Sequence, residues 1–598
     1  MRSQRLPATS DRWCSRRTIG RRWPGELAGS GRRHGIGTGR SRQRWGTVSR
    51  VDAFQHKRTG RARRAVDAVL RTDRRVLAAL LVATVLLRLP FVWSPLGIDE
   101  GGYSYVASRW LDASGSIYGD QWVDRPPLLI AGYVLANALG GAWALRVLGI
   151  LAACIVVLAS ASIAGRAAGS TALRWSGLVA TVLTSSAMLQ GQTVNAELPA
   201  IAFTAGSAWL VVRALDARAR DALLLSIAAG FVALCAMLVK QSFVDGFAFA
   251  SGAMLVVALV GGAAGRRRAG VLLVGGVLGG GAAASLVVAW AELRGPGTRA
   301  LLDALYGFRV DAGRVLESSN GAELQRLWLL AGVVVLSGLL VLLVAALVGS
   351  VRIVAGRQRI DERLDPLLVR ATAGGVLAMG AVGLMGVLGG GSWWTHYLLQ
   401  LVPAIAVGTG IVVAAGPGPA RSRISRIATR SGVGAAAATV AACVVAGSMT
   451  AAGEVQRRPV VVGDWLAQAS RTGDTTIVFW GHANVLQRSG MTTPYPMTWS
   501  LPIRVRDPQL SSLRSVLGGP HAPTWVVRWN SLDSWHIDHD HRLRDLIDER
   551  YRQVATICGV PVLRLRSIDR ADQLPATPDA AACGTATGDS AGTLDALR

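Results

Sequence analysis

The feature that most limits what this chain can become is its succession of long apolar runs. Ile150 to Ala164 with its flanks, Leu198 to Val212, Ala222 to Val239, Val271 to Trp290, Leu327 to Val348 and Tyr397 to Ala415 are the clearest. With their flanking residues they approach or exceed the roughly 18–20 residues that cross a hydrocarbon core of about 30 Å. In a 598-residue chain that is 51% hydrophobic, this repetition excludes a single soluble domain. It predicts a polytopic helical membrane protein of about eleven spans. A chain with backbone polar groups inside a bilayer must satisfy them internally, and helices do so within each segment.

The formal net charge of +27 concentrates in the first 75 residues, rich in Arg, Gly and Ser. No helical or strand period organises that segment, so residues 1–75 read as a disordered basic tail. It suits contact with anionic lipid headgroups at the cytoplasmic face. No aromatic pattern or motif organises the arginines, which argues against nucleic acid as a partner. No cleavable signal peptide is evident.

The arginines also set the orientation. The first span runs from Val76 to about Leu96, and its basic flank places Asp99 and Glu100 outside. In "DRPPLLIAGYVLANALGG", Asp124 to Gly141, the apolar part is only about 14 residues, which suits a re-entrant or interfacial helix. If that piece does not cross, the arginine groups at 166–174, 213–220, 266–268, 352–370 and 421–430 all face the cytoplasm. If it crosses, all face outward. The first parity obeys the positive-inside rule; only the arginine-bearing loop Arg294 to Arg326 departs from it. The C-terminus is then extracytoplasmic.

This parity collects Asp99, Glu100, Asp124, Arg125, Glu197, Lys240, His396 and Tyr397 at one face. Tyr103, Val106, Trp110 and Leu111 have the spacing of an amphipathic helix lying in the interface. Asp99 and Glu100 would sit near its N-terminus, where carboxylates are stabilised. Taken singly, these residues read as helix caps, snorkelling cations and an aromatic belt; their collection at one face suggests a site. From about Glu454 the composition changes. "TTIVFWG", "TWVVRW" and "VATICGVPVLRL" read as strands, and "DPQLSSLRSVLGG" and "HRLRDLIDERY" as helices. Residues 454–567 therefore form a small α/β domain after a membrane domain at 76–453, and 568–598 read as a disordered tail. In "WHIDHDH", Trp535 to His541, the side chains could ligate a metal, but the spacing fits a solvated turn with Asp538 or Asp540 capping the next helix. Of six cysteines, Cys154, Cys235 and Cys443 are packing residues in apolar runs. Cys558 and Cys583 could pair if their region is extracytoplasmic.

From about Val76 to Ala415 the chain resembles the polytopic glycosyltransferases of the GT-C fold, among them the bacterial ArnT-like enzymes and the protein O-mannosyltransferases. The resemblance lies in the Asp-Glu pair after the first span, the basic-Pro-Pro-Leu run "RPPLL", the "ELP" element, the span-ending Lys240 and "HYLLQLVPA". The relatives often carry Lys before the Pro-Pro pair, where this chain has Arg125. The resemblance implies transfer of a sugar from a polyprenyl-phosphate donor to an acceptor on a glycan, lipid or protein at the extracytoplasmic face. Asp99 would be the base and Glu100 would orient it or the sugar. Asp124, Arg125, Glu197, Lys240, His396 and Tyr397 would line the substrate site, with the cations on the lipid phosphate. The scheme implies no cofactor and requires no metal. A flippase of a lipid-linked saccharide is the alternative, but it would favour polar breaks at mid-membrane in two matching halves. A non-catalytic assembly protein accounts less economically for the clustered residues.

Overall fold

The computed structural model describes residues 72–110, 116–317, 322–416, 423–570 and 574–584. Most of the basic tail, and Cys14, lie outside them. The described residues begin with helix α1 (72–88). The apolar runs become α4 (Ala142–Ser185), α5 (Glu197–Asp216), α6 (Ala219–Val239), α7 (Asp245–Val260), α8 (Gly262–Leu293), α11 (Ala322–Leu336), α12 (Leu339–Val354), α13 (Pro366–Gly389), α14 (Val402–Ala414) and α15 (Arg423–Ala451). Between them lie α2 (Ile98–Trp110), α3 (Pro127–Ala138), α9 (Thr298–Leu302) and α10 (Phe308–Glu317).

Seven described helices are long and apolar enough to cross a membrane, and eight if α11 and α12, bent by 71°, form one broken span. The protein is a multi-pass membrane protein. Within α4 the backbone leaves the helical region at Ala168 and Gly169, where Gly169 has φ +79°. The two legs fold back on each other: a Cβ on Gly177 would lie 3.4 Å from that of Ala161. This 44-residue helix is thus a helical hairpin. α3 has 12 residues, about 18 Å of rise, too short to cross. Pro126 and Pro127 open it, where a missing N–H costs little.

Following the chain through these antiparallel helices sorts its polar groups between two ends. At one end Arg174 pairs with Asp73 at 2.8 Å, Arg166 with Asp216 at 2.7 Å, and Asp361 N–H donates to Ala415 O at 3.0 Å. The basic stretches 213–220, 266–268, 352–370 and 423–430 lie there. At the other end Arg88 donates to the carbonyls of Thr184 and Gly191, and every site residue expected from the sequence is found.

The C-terminal region opens with α16 (Arg457–Ala469), then β1 (Thr476–Phe479), α17 (Ala483–Ser489), α18 (Ser500–Arg506), α19 (Ser511–Gly518), β2 (Trp525–Arg528), α20 (Arg542–Arg550), β3 (Tyr551–Ile557) and β4 (Val560–Leu565). The sheet order is β1-β2-β4-β3. β1 and β2 are parallel, as the intervening helices allow, and the other pairs are antiparallel. Both faces of β2 are covered, with Trp525, Val526 and Val527 fully buried. Asp538 caps α20 by accepting from the N–H groups of Leu543 and Arg544, each at 3.0 Å. Cys558 and Cys583 form a disulfide. Residues 574–584 depart from the expectation of a wholly disordered tail: Arg457 donates to the carbonyls of Ala581 and Ala582 and Trp465 Nε1 to Pro575 O.

A second expectation needs correction. α2 is not a half-exposed amphipathic helix. Gly101 through Ala107 are all buried, because the C-terminal region seats directly on it. A Cβ on Gly101 would come within 2.4 Å of Asn484 Cα, and one on Gly102 within 2.2 Å of the Trp499 ring. The glycine pair of "DEGG" is the clearance that lets α17 and Trp499 approach.

Candidate active site

Asp99 lies in the first turn of α2 and is partly exposed. One oxygen accepts a hydrogen bond from Trp499 Nε1 at 3.1 Å, across 400 positions of sequence. Tyr103, one turn along α2, meets the same indole at 5.5 Å between ring centroids.

Glu100, its neighbour, has a different setting. Its side chain is 1% exposed and forms a salt bridge with Arg146 of α4, itself 4% exposed. Arg146 grips both carboxylate oxygens, the second at 2.8 Å, and donates to Pro95 O. Val194 N–H donates to Glu100 at 2.7 Å and Gly97 N–H at 3.0 Å. Burial disfavours the charged carboxylate, but Arg146 and these hydrogen bonds outweigh it and hold the carboxyl below the usual range. With its oxygens occupied, Glu100 acts as a strut between α2, α4 and the loop before α5.

Two cationic clusters flank Tyr103. In the first, Asp124 pairs with Arg125 at 2.7 Å and with Arg309 of α10, while Gln241 Nε2 donates to Asp124 O at 3.1 Å. Burial opposes ionisation of Asp124, and the two guanidinium groups overcome it, so its carboxyl titrates below the usual range. Arg125 lies 5.7 Å from the Tyr103 ring centroid. Its Nε is buried without a hydrogen-bond partner among the described residues. Burial works against the guanidinium charge, but Asp124, then Tyr103, Asp99 and Tyr397, hold it firmly protonated. Asp99 and Tyr397 therefore both lie within electrostatic reach of Arg125.

In the second cluster Lys240, just past α6, pairs with Glu197 and stands 4.1 Å above the Tyr397 ring centroid. His396 Nε2 is 3.7 Å from the same Glu197 oxygen, and its Nδ1 is 2.9 Å from Gln190 Oε1. Burial raises the Tyr103 hydroxyl well above its ordinary pKa; Arg125 opposes this, while Asp99, Asp124 and Glu197 add to it. Tyr103 thus lies within electrostatic reach of Asp99 and of an acid from each cluster.

Sequence reasoning missed Arg309, Trp499, Arg146 and Gln190. Arg309 sits in the loop that breaks the charge rule, and that exception was its signal. Arg146 is an ionisable residue just inside a span, which by itself marks a polar partner or a site. Trp499 carried no local signal.

No protein-family model matches the sequence, nor does any curated protein. The fold does match solved structures. ArnT from Cupriavidus metallidurans bound to undecaprenyl phosphate aligns with TM-score 0.52 at 14% identity, over 82% of this chain and 97% of that one. The Archaeoglobus fulgidus oligosaccharyltransferase tethered with an acceptor peptide containing the NVT sequon aligns with TM-score 0.50 at 12% identity, over 80% and 72%. Both are GT-C fold glycosyltransferases. The present chain has the GT-C fold, a helical membrane body with a small α/β region at its C-terminal side.

Proposed function

We propose that the protein is an integral-membrane glycosyltransferase that takes a sugar from a polyprenyl-phosphate donor and inverts its anomeric centre. The observation that carries this reading is the grouping of Asp99 with two cationic clusters around Tyr103, at one end of the helical body. An acceptor hydroxyl is a weak nucleophile. Asp99 takes its proton as the oxygen bonds to the anomeric carbon. The bond from that carbon to the phosphate oxygen breaks, and its electron pair leaves on the lipid phosphate. Arg125, with its unpartnered buried Nε, and Lys240 stabilise that growing charge, with His396 beside them. Asp124 and Glu197 hold the two cations in place, and Tyr397 provides the ring under Lys240. The undecaprenyl phosphate bound to ArnT from Cupriavidus metallidurans is a lipid phosphate of the class that such a donor would leave behind.

The test is turnover of defined polyprenyl-phosphate sugars by the purified protein, with a glycan, lipid or peptide acceptor. Release of free polyprenyl phosphate together with a glycosylated product supports the reading. Donor movement across vesicles without transfer would support a flippase and overturn it. Arg125→Gln keeps a planar side chain but removes the charge and the fork. It is expected to lower turnover by about 10²–10³-fold, the cost of removing one transition-state donor. A fall confined to KM would place Arg125 in ground-state binding alone.

The site faces the extracytoplasmic side. The arginine-rich opposite end obeys the positive-inside rule in that orientation, and the Cys558–Cys583 disulfide suits an oxidising compartment. In a background lacking the free cysteines, Asp120→Cys should react with a membrane-impermeant maleimide added to intact cells. Arg267→Cys should react only after permeabilisation. The reverse pattern would refute the orientation.

A further inference from the structure

Behind α2, away from Asp99, lies a cavity of ≈ 450 Å³ with a mixed polar and apolar lining. Helical spacing separates the two sides. Asp99, Tyr103, Val106 and Trp110 follow one face of α2, while Ser104, Tyr105, Ser108 and Arg109 follow the other. The far wall comes from Asn137 at the end of α3 and from Gln487 and Thr492 of the C-terminal region.

The chemistry of this lining is specific. Among the described residues the Gln487 amide and the Thr492 hydroxyl make no hydrogen bond, though both line the cavity. Gly141 and Gly490 add backbone with open space where a side chain would stand. An anion site needs donors only. Here Ser104 and Asn137 already bond each other and Ser108 bonds Tyr105 O, which leaves the Gln487 amide and the Thr492 hydroxyl to offer both donors and acceptors, beside a single guanidinium, as the hydroxyls of a sugar require. The Tyr105 ring and the Met491 side chain supply apolar surface for the C–H face of a ring. The volume falls within the range of about 300–1,000 Å³ typical of small-molecule sites.

We propose that this cavity binds a sugar residue, at a site separate from the one around Asp99. The assignment stands without the donor-site reading, since it rests on the other face of α2. It also gives the C-terminal region a part in recognition, because Gln487, Met491 and Thr492 belong to it. A bound sugar bridges that region to the helix carrying Asp99.

The test uses the full-length protein in lipid nanodiscs free of glycoside detergents, with methionine methyl groups isotopically labelled and Met491 assigned through Met491→Leu. Methyl glycosides of hexoses and pentoses, and disaccharides of each, are titrated in the millimolar range. At least one is expected to shift the Met491 methyl resonance saturably, equally in wild type and Asp99→Asn. Gln487→Leu and Thr492→Val, each checked for unchanged melting, are expected to weaken that binding about tenfold or more. A long-chain alkyl glycoside embedded in the nanodisc provides a second arm. Binding of the alkyl form alone identifies a lipid-borne sugar, and binding of both a free glycan end. If no glycoside in either arm moves Met491 in the wild-type protein, the proposal is wrong. It is equally wrong if binding disappears in Asp99→Asn and survives both cavity substitutions, since the sugar would then occupy the site around Asp99.

Discussion

Asp99→Asn is expected to lower sugar transfer by about 10²–10⁴-fold, the usual contribution of a positioned general base, while leaving the fold intact. The substitution is nearly isosteric. The hydrogen bond that Asp99 accepts from Trp499 Nε1 can be accepted by the amide oxygen of Asn. The partly exposed position requires no buried charge to be replaced. Only the ability to take a proton is lost. Single-turnover measurement with a polyprenyl-phosphate sugar separates the chemical step from donor binding, which should be unchanged because Arg125 and Lys240 keep their acidic partners Asp124 and Glu197. Transfer that persists at the wild-type rate would remove Asp99 from the base role.

Much of this architecture was legible in the sequence because the bilayer imposes it. Length and apolarity marked α5, α6 and α8, and the short proline-led run marked α3 as a non-crossing piece. The parity argument brought Asp99, Asp124, Glu197, Lys240 and His396 to one end, where they lie. Counting was harder. The arginines at 166–174 imply a pass on either side of them, yet the chain turns at Ala168 and Gly169 without ending its helix, and the single apolar run Leu327 to Val348 becomes two helices that meet at a 71° bend. Pairing between distant side chains was also hidden. Periodicity says which side a residue faces within its own helix, but not what arrives from elsewhere. Tyr103, Val106 and Trp110 gave α2 one apolar face, yet Asn484 and Trp499 cover the helix from nearly 400 residues away. Arg309 belongs to the loop that departs from the charge rule, and a cation on the wrong side of that rule is one for which some acid must be waiting, here Asp124.

The adjacent carboxylate should behave in the opposite way to Asp99. Glu100→Gln is expected to destabilise the protein by about 3–5 kcal/mol, the usual consequence of leaving one partner of a buried ion pair uncompensated. Arg146 would retain its charge at 4% exposure with no carboxylate beside it. The pair is also a mechanical link. Glu100 accepts from Val194 N–H, three residues before Glu197, so the strut that fixes Asp99's helix also fixes the approach to Lys240. Removing both charges with Glu100→Gln and Arg146→Met should recover part of the lost stability, since an apolar replacement often matches a buried pair. Acid gives an independent check. The folded-state pKa of Glu100 lies below its unfolded value, so its stabilisation is complete above the ordinary value of about 4. It is lost as pH falls through the lower folded value. Thermal unfolding should therefore show an acid-dependent loss in wild type that is smaller in the double variant. If Glu100→Gln melts like wild type but loses transfer as completely as Asp99→Asn, Glu100 belongs to the reacting groups after all, and the division between a proton-accepting Asp99 and a structural Glu100 fails.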